Sequence, residues 1–261
     1  MINVHAISWR FMRVWRRNLI TYRKIWKVSF LTPLLEPMLF ITAFGLGFSG
    51  MIEGVVYGGR TLSYTTYIAP ALIASAVMNN AFFETTFASF VRMYYQNTFD
   101  GILATPISVE EVIIAEIVWA ASKATAAATV MLLVLGVFGF VALPQSLFIL
   151  PLAFLGGLAF ASVGMFFTGI IPTIDMFNLP MFLFITPMFL FSGTFFPVSN
   201  LPAWARPFAM AFPLHHLVEL FRTFCAGAHE TPLWISLIYL PLFLLVFGLL
   251  ALVMMKRRLI K

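Results

Sequence analysis

The sequence contains few charged residues. Asp, Glu, Lys and Arg together account for 10% of its 261 residues, whereas an ordinary soluble domain carries roughly 25%. A chain with so few charges cannot cover a globule in water, and 61% of its residues are hydrophobic. Its content of 16% aromatic residues also excludes a disordered or collagen-like chain. We therefore predict an all-α polytopic membrane protein that forms a single transmembrane domain over residues 1–261.

The sequence also lacks motifs for nucleotide binding, catalysis and metal binding. It contains no G-x-x-x-x-G-K-[ST] segment, so it does not bind ATP through a P-loop, and it contains no G-x-S-x-G or H-E-x-x-H segment. Cys225 is the single cysteine, which excludes an internal disulfide, and no spacing of Cys and His indicates zinc. We expect a transport subunit that is not an enzyme and binds no cofactor, with energy supplied by a separate chain or an ion gradient.

Hydrophobic runs of about 20 residues recur along the chain, and each is long enough to cross a hydrocarbon core of about 30 Å. Six transmembrane helices are predicted, at residues 30–49, 67–90, 112–141, 147–170, 176–196 and 233–255. Twelve of the 16 basic residues fall on one side: Arg10, Arg13, Arg16, Arg17, Arg23, Lys24, Lys27, Arg92, Lys256, Arg257, Arg258 and Lys261. Arg60, Arg206 and Arg222 fall on the other side. The positive-inside rule therefore places both termini in the cytoplasm, which requires an even number of spans.

Residues 5–28 are predicted to form an amphipathic interface helix ahead of the first span. One face is cationic and the other is apolar and aromatic: Arg10, Arg13, Arg17, Lys24 and Lys27 against Phe11, Trp15, Leu19, Tyr22 and Trp26. Such a helix suits the headgroup plane, with its aromatic side chains inserted and its cations near anionic lipid. The alternative is a soluble basic helix that docks on a partner. Nucleic acid is not expected as a partner despite the net charge of +6, because the aromatics do not interleave with the cations.

A polar loop follows the second predicted span. Ser108 and Glu111 have the S-x-x-E spacing of a capping box, with Pro106 just upstream, so we predict that the third helix begins there. Residues 92–103 are predicted to form a short helix parallel to the membrane that ends near Gly101. An exposed aromatic and acidic helix at this position is typical of a docking element, and the alternative is a solvated connector.

Residues 197–215 are apolar but contain four prolines, at positions 197, 202, 207 and 213. Since proline removes helical hydrogen bonds, no continuous crossing can form here. We predict short re-entrant helices in the outer leaflet before the last span, and the alternative is an outer loop with a Trp anchor. His215 and His216 are adjacent, so on a helix they point apart and do not form a metal-binding pair.

Five ionisable residues fall in or near the predicted spans: Glu36, Glu84, Glu116, Lys123 and Asp175. Such residues are costly in a bilayer and are treated as functional by default. Lys123 lies deepest and needs a carboxylate or a cavity, and Glu84 on another helix is its predicted partner. Glu36, Glu84 and Lys123 are the candidate intramembrane polar site. Glu116 and Asp175 lie near the cytoplasmic ends, where we expect wet, structural positions.

Small residues at 120, 124 and 128, all alanine, make a small-xxx-small ridge on the third predicted span. This ridge indicates close helix packing. The sequence leaves open whether the packing is within one subunit or between two.

Three segments carry a family resemblance: residues 67–76 (YIAPALIASA), 98–106 (TFDGILATP) and 186–197 (TPMFLFSGTFFP). Shorter stretches at 90–93, 116–123, 201–204 and 213–215 extend it. Together these segments resemble the type-2 ABC (ATP-binding cassette) exporter permeases, and more narrowly the NodJ-like lipo-oligosaccharide exporter permeases. The resemblance covers most of residues 30–225.

The resemblance implies a permease in the bacterial cytoplasmic (inner) membrane that works as a homodimer with two cytosolic ABC ATPase subunits, which bind ATP and Mg. Residues 92–105 would be the coupling helix. The implied coupling residues are Arg92, Tyr94, Tyr95, Gln96, Phe99, Asp100 and Gly101. The re-entrant segment would cap the transport path as an outer gate, formed by Phe196, Pro197, Pro202, Trp204, Pro213 and His215.

The implied substrate is an amphipathic lipo-oligosaccharide or lipid-linked saccharide. Hydrophobic drugs or natural products are the nearest alternative. An ion-coupled secondary transporter that uses Glu84 and Lys123 is an alternative from another class, although no convincing internal repeat supports it.

Overall fold

In the computed structural model, residues 8–40, 42–43, 47, 54–141 and 143–260 are described. Nine helices organise this part of the chain: α1 (Phe11–Phe40), α2 (Tyr64–Tyr95), α3 (Thr98–Leu103), α4 (Val109–Val137), α5 (Ile149–Ile170), α6 (Ile174–Phe191), α7 (Ala205–Met210), α8 (Pro213–Ala226) and α9 (Leu233–Leu259). Single helical turns at Leu143–Ser146 and Val198–Asn200 precede α5 and α7. The predicted class, an all-α polytopic membrane protein, is confirmed by this architecture.

Five of the helical segments in the described ranges are long and apolar enough to cross a membrane: α2, α4, α5 with its preceding turn from Leu143, α6 and α9. They correspond to the second to sixth predicted spans. The first predicted span, 30–49, overlaps the end of α1 up to Phe40. Most of its remaining residues, and the side chain of Glu36, lie outside the described part of the chain, so the count of six spans stays a prediction.

A two-stranded hairpin precedes α2, in a region for which the sequence predicts no strand. β1 (Val55–Tyr57) pairs antiparallel with β2 (Arg60–Leu62). Gly58 and Gly59 form the two-residue turn with φ values of +55° and +74°, a conformation that glycine adopts without steric cost. The fold is therefore helical except for this short hairpin.

The N-terminal helix differs from the predicted interface helix. α1 runs without a break from Phe11 to Phe40; residues 11–32 contain no glycine or proline, and Pro33 and Pro37 lie near its C-terminal end. Its side facing α4 is protein-bound: the Trp15 indole N–H donates to Ser122 Oγ at 3.1 Å, and the ring of Tyr22 lies 5.5 Å from that of Trp119. Trp15 and Tyr22 thus pack against the bundle instead of inserting among headgroups.

Small residues allow α2, α4 and α5 to approach closely at the centre of the bundle. Ala120, Ala124 and Ala128 on α4 are all fully buried within the chain, so the predicted ridge packs inside one subunit. A Cβ on Gly157 of α5 would lie 3.0 Å from the Cα of Ala121. Close backbone contact of this kind drives helix association in membranes.

α6 and α9 lie at the periphery. On α9, four residues are buried, Ser236, Leu240, Ala251 and Met255, and large apolar side chains such as Trp234 and Ile238 are exposed. On α6, Phe182 and Leu183 are exposed in the same way. Apolar faces of this length suit contact with lipid chains.

The proline-rich segment before the last span is broken into short helices, as its prolines predict. The turn at Val198–Asn200 and helix α7 precede Pro213, which occupies the first turn of α8. Proline is tolerated in the first turn because its missing N–H has no helical acceptor there. α8 is buried along most of its length against α2 and α9.

The contact between α2 and α5 gives a test of this packing. A Cβ on Gly164 would lie 2.9 Å from the backbone oxygen of Phe82 and 2.2 Å from Thr85 Oγ1. We expect Gly164→Ala to destabilise the protein by about 1–3 kcal/mol, the usual cost of overpacking, and to lower its melting temperature in detergent. Gly248→Ala is the control, since its Cβ would lie 3.8 Å from Ser162. Equal melting temperatures for the two variants would contradict the packing described here.

Candidate functional site

A polar network lies where α1, α2 and α4 meet, and it is built on two buried carboxylates and two cations. Arg92 joins the carboxylates: its Nη1 lies 2.8 Å from Glu84 Oε1, and its Nη2 lies 2.6 Å from Glu116 Oε2. Lys123 Nζ lies 2.7 Å from Glu84 Oε2. Glu84 is 5% exposed and Glu116 is fully buried. The four side chains balance one another's charge, which is the condition under which charges are tolerated in an apolar interior.

Neutral donors complete the coordination of both carboxylates. Asn18 Nδ2 donates to Glu116 Oε1 at 2.8 Å, and Ser89 Oγ donates to Glu116 Oε2 at 2.6 Å. The Trp119 indole N–H donates to Glu84 Oε1 at 2.9 Å. Every carboxylate oxygen of the polar network therefore accepts at least one hydrogen bond, as buried polar groups require.

The local shape of α2 brings Glu84 and Arg92 together. Residues eight apart on a regular α-helix are offset by about 80° around its axis, since 3.6 residues make a turn. α2 contains two π-helical stretches, Glu84–Ala88 and Val91–Tyr95. A π-helical turn contains more residues and rotates less per residue, so the two side chains come to face the same side.

The structure confirms one predicted contact of the polar network and changes the position of two residues. The predicted pairing of Lys123 with Glu84 is confirmed, whereas their part in transport stays a prediction. Arg92, predicted to lie in the docking helix, belongs to α2 and points into the polar network. Glu116, predicted to be wet, is fully buried and bonded to three side chains. Asp175 is exposed, as predicted.

The predicted coupling segment, 92–105, is divided by a turn. α2 continues to Tyr95, and Asn97, with a φ of +48°, separates it from the short helix α3. Asparagine adopts this left-handed conformation more readily than most residues. Five of the predicted coupling residues are exposed and are here called the loop surface: Tyr94, Tyr95, Gln96, Asp100 and Gly101. Phe99, also predicted as a contact residue, is fully buried and anchors α3 to the main core.

Hydrogen bonds connect α3, which carries Asp100 and Gly101 of the loop surface, to α1 and to the polar network. Arg17 donates to Thr98 Oγ1 at 3.4 Å and to Asn18 Oδ1 at 3.3 Å, and Asn18 in turn holds Glu116. The predicted capping box at the start of α4 is confirmed: Glu111 N donates to Ser108 Oγ, and Ser108 N donates to Glu111 Oε2. A displacement of α3 would therefore reach α1, α2 and α4 together.

The N-terminal and C-terminal segments also contact this end of the bundle. Ser8 N donates to Glu111 Oε1 at 3.0 Å, and Arg10 Nη1 donates to the Pro106 carbonyl at 2.9 Å. Lys256 on α9 pairs with Glu110 on α4 at 2.6 Å. The basic termini thus gather around the beginning of α4.

A second polar cluster lies at the other end of the bundle, around Arg222 of α8. Arg222 is 1% exposed, and its guanidinium donates to the carbonyls of Tyr67, Gly193 and Thr194 at 3.1, 2.6 and 3.3 Å. The same group stacks on the Tyr67 ring at 3.7 Å. Gly193, with a φ of +79°, makes the turn that exposes these carbonyls. Arg222 therefore ties the end of α6 to α2.

The sequence predicts Arg222 only on the outer side and indicates no site role for it. Its signal in the sequence is a single cation between apolar residues, at 220–224 (LFRTF), a pattern that marks a buried and partnered arginine. Glu219, one turn earlier, was also missed. It accepts hydrogen bonds from Tyr57 Oη and from the backbone N–H groups of Glu230 and Thr231, and burial raises its pKa.

The candidate outer gate residues are divided between surface and core. Phe196, Pro202 and Trp204 are exposed, and Pro197, Pro213 and His215 are buried. In the described part of the chain, Ser192 Oγ and Thr194 Oγ1 have no hydrogen-bond partner, and the buried His215 ring interacts with the backbone of Ser192. Burial lowers the pKa of His215 to about 4, so its imidazole is neutral at physiological pH. His216 bonds to Ser236 and to the Met210 carbonyl.

Comparison with known proteins agrees with this geometry. Residues 10–224 match the family described as "ABC-2 type transporter". The chain is 39% identical to nodulation protein J of Sinorhizobium fredii over 218 residues, which cover 83% of this chain and 81% of that protein. It is 34% identical to nodulation protein J of Rhizobium leguminosarum bv. viciae over 256 residues, or 98% and 96% of the two chains. It is also 26% identical over 164 residues to a probable multidrug ABC transporter permease of Escherichia coli, covering 62% and 44% of the two chains.

The hydrogen bonds of the polar network predict that substitution of Glu84 and substitution of Lys123 destabilise the protein to different extents. Glu84 bonds to both cations and to Trp119, whereas Lys123 bonds to Glu84 alone among these residues. Removing one partner of a buried ion pair costs about 3–5 kcal/mol, because it leaves an unpaired charge. We expect Glu84→Gln to lower the melting temperature in detergent more than Lys123→Met does.

The double variant and a surface control complete this test. Lys123→Met added to Glu84→Gln should recover part of the loss, since it removes one unpaired cation. The exposed residue Asp175 provides the control, and Asp175→Asn should leave the melting temperature unchanged. If the double variant lost the full sum of the two single effects, the two side chains would not be coupled.

Proposed function

This chain belongs to the ABC-2 type transporter family, and on that premise we propose that it is the transmembrane permease subunit of an ATP-driven ABC exporter. The chain carries no nucleotide-binding motif, so two copies of a separate cytosolic ABC ATPase would bind ATP and Mg and hydrolyse the nucleotide. A second, identical permease would complete the transport path. The observation that carries the proposal is the exposed loop surface at the end of α2 and on α3, where Thr98 of α3 is hydrogen-bonded through Arg17 and Asn18 to the buried polar network.

The loop surface has the chemistry of a protein-docking site. Tyr94 and Tyr95 are 61% and 60% exposed, and the exposed carboxylate of Asp100 lies on the adjacent α3. Tyrosine is enriched among the central residues of protein interfaces, and polar groups surround these residues at the rim. Phe99 does not reach the docking surface. Its buried side chain anchors α3 to the core, so a force on α3 would be passed to the bundle.

The polar network supplies a route from this docking site into the bundle. When the ATPases close on ATP, they would press on α3 and the start of α4. Thr98, Arg17 and Asn18 connect α3 with Glu116, and Arg92 connects Glu116 with Glu84. The helices α1, α2 and α4 would thus shift as a group and open a path between the two permeases.

The contacts of the polar network favour a structural role for Glu84 and Lys123 over a role in ion-coupled transport. Both oxygens of Glu84 are occupied, one by Lys123 and the other by Arg92 and Trp119. An ion or proton carrier would have to release these partners in each cycle. The ion-coupled secondary transporter is therefore the less supported alternative.

We propose an amphipathic lipo-oligosaccharide or lipid-linked saccharide as substrate, moved outward across the bacterial cytoplasmic membrane. The resemblance to the NodJ-like permeases supports this class, as do the matches to nodulation protein J over most of both chains. The Escherichia coli relative, a probable multidrug permease, supports hydrophobic drugs as the second candidate. Both termini and α3 would lie in the cytoplasm, and α7 would lie on the outer side, in the re-entrant gate.

Co-purification tests the ATPase partnership. The tagged chain, extracted from its native membrane in mild detergent, should bring down a P-loop ATPase in equal amount, identified by mass spectrometry. Asp100→Arg should reduce the recovered ATPase by about tenfold or more, because reversing an interface charge costs at least about 1.4 kcal/mol. Purification without an ATPase, together with export that persists without ATP, would overturn the proposal.

A matched variant and a folding check accompany this experiment. Glu230→Arg reverses an exposed carboxylate at the opposite end of the bundle and should leave ATPase recovery unchanged. Phe99 is unsuitable as a docking variant because it is buried, so a loss of ATPase in Phe99→Asp would report unfolding of α3. Asp100→Arg and Glu230→Arg should have the melting temperature of the unaltered chain.

A further inference from the structure

A cavity of about 460 Å³ lies beside the polar network, between α1, α2 and α4. Its inner wall contains the buried side chains of Glu84 and Trp119, and its rim contains Thr21 and Gln96, which are exposed. The cavity is thus open at one end and charged at the other. Its volume falls within the range of about 300–1,000 Å³ that is usual for sites that bind small molecules.

Cations predominate around this cavity. Arg17, Arg92 and Lys123 line it, and two carboxylates, Glu84 and Glu116, balance two of these charges. The third cation is Arg17, whose hydrogen bonds in the described part of the chain go to the neutral oxygens of Asn18 and Thr98, at 3.3 and 3.4 Å. Among the described residues that line or border the cavity, cations therefore exceed carboxylates by one.

Arg92 and Lys123 differ in how many of their N–H groups already donate hydrogen bonds. Arg92 bonds through Nε, Nη1 and Nη2 to the two carboxylates and to Ser89, so few of its donors remain. Lys123 has three N–H donors, and its hydrogen bond in the described residues is to Glu84. Arg17 and Lys123 thus have N–H groups that can donate to a ligand in the cavity.

The other side of the cavity is aromatic and aliphatic. Tyr22, Phe87 and Val91 line it, and the Tyr22 ring packs edge-on against Trp119 at 5.5 Å between ring centres. A site with cations at one side and apolar surface at the other suits an anionic amphiphile. Lysine and arginine bind phosphate oxygens strongly through charge-assisted hydrogen bonds, and arginine does so with two parallel bonds.

We propose that this cavity binds the phosphate-bearing headgroup of an amphiphile, with Arg17 and Lys123 as the donors to the phosphate. The headgroup would lie next to Asn18 and Arg17, which connect α3 to the polar network, so binding and docking would act on the same helices. This inference deepens the proposed export function, and its meaning for transport rests on that function. Binding itself does not depend on the ATPase and can be measured on the permease alone.

The test is a titration of the purified permease, in the neutral detergent dodecyl maltoside, with dodecyl phosphate. We expect saturable binding by calorimetry to the unaltered chain. Arg17→Gln should weaken it by about tenfold or more, since a hydrogen bond to a charged group contributes about 1.5–3 kcal/mol and tenfold corresponds to 1.4 kcal/mol. Arg17→Lys, which keeps the charge, should recover part of the affinity.

Arg16→Gln is the matched control. Arg16 is the neighbouring cation on α1, is exposed and does not line the cavity, so its loss should leave affinity within about twofold. An equal loss in Arg16→Gln and Arg17→Gln would indicate general attraction to a basic helix and would overturn the inference. The absence of saturable binding to the unaltered chain would overturn it as well.

Two further arms identify the source of the phosphate. If inorganic phosphate competes with dodecyl phosphate, the phosphate group alone is sufficient for binding. If only phosphatidylglycerol competes, measured in nanodiscs against phosphatidylcholine nanodiscs as the control, the site is assigned to a lipid headgroup. Either result supports the phosphate site. If the ATPase fails to co-purify but dodecyl phosphate binds through Arg17, the export function fails and this inference stands. If the ATPase co-purifies but dodecyl phosphate does not bind through Arg17, this inference fails and the export function stands.

Discussion

The structure depends on one arginine that satisfies two buried carboxylates. Arg92 bonds to Glu84 and to Glu116, and both carboxylates lie inside a bundle that is otherwise apolar. The desolvation of an ion costs several kcal/mol, so such groups persist only where the geometry is close and every oxygen is satisfied. The two π-helical stretches of α2 provide that geometry. Glu116 also accepts a hydrogen bond from Asn18 on α1. Arg92 on α2 therefore holds α4 directly, through Glu116, and α1 indirectly, through Asn18.

This arrangement places charge, the proposed docking surface and access to a cavity at one end of the bundle. Arg17 is the shared residue: it bonds to Thr98 in α3 and to Asn18 beside the polar network, and it lines the cavity. Close packing at Gly157 and Gly164 joins α4 and α2 to α5. In the proposed function, a push on α3 would be transmitted by these contacts and hydrogen bonds.

The opposite end is held by a different interaction. Arg222 has no ion pair with a carboxylate in the described part of the chain. Hydrogen bonds to backbone carbonyls and cation–π contacts with the rings of Tyr57 and Tyr67 stabilise its buried charge instead. These partners come from the hairpin, α2 and the turn at Gly193. Nearby, Ser192 Oγ and Thr194 Oγ1 are buried without a hydrogen-bond partner among the described residues.

The sequence by itself determined the class of the protein, five of its spans, the capping box at Ser108 and the pairing of Lys123 with Glu84. Each follows from a local property: hydrophobic length, a three-residue spacing, or the cost of a charge in an apolar segment. Tertiary structure alone decided that Arg92 faces inward, that Glu116 is dry, that Phe99 is an anchor and that Arg222 is a buried clamp. These positions depend on partners distant in sequence and on π-helical turns that shift the helical period, and neither is encoded in a local pattern.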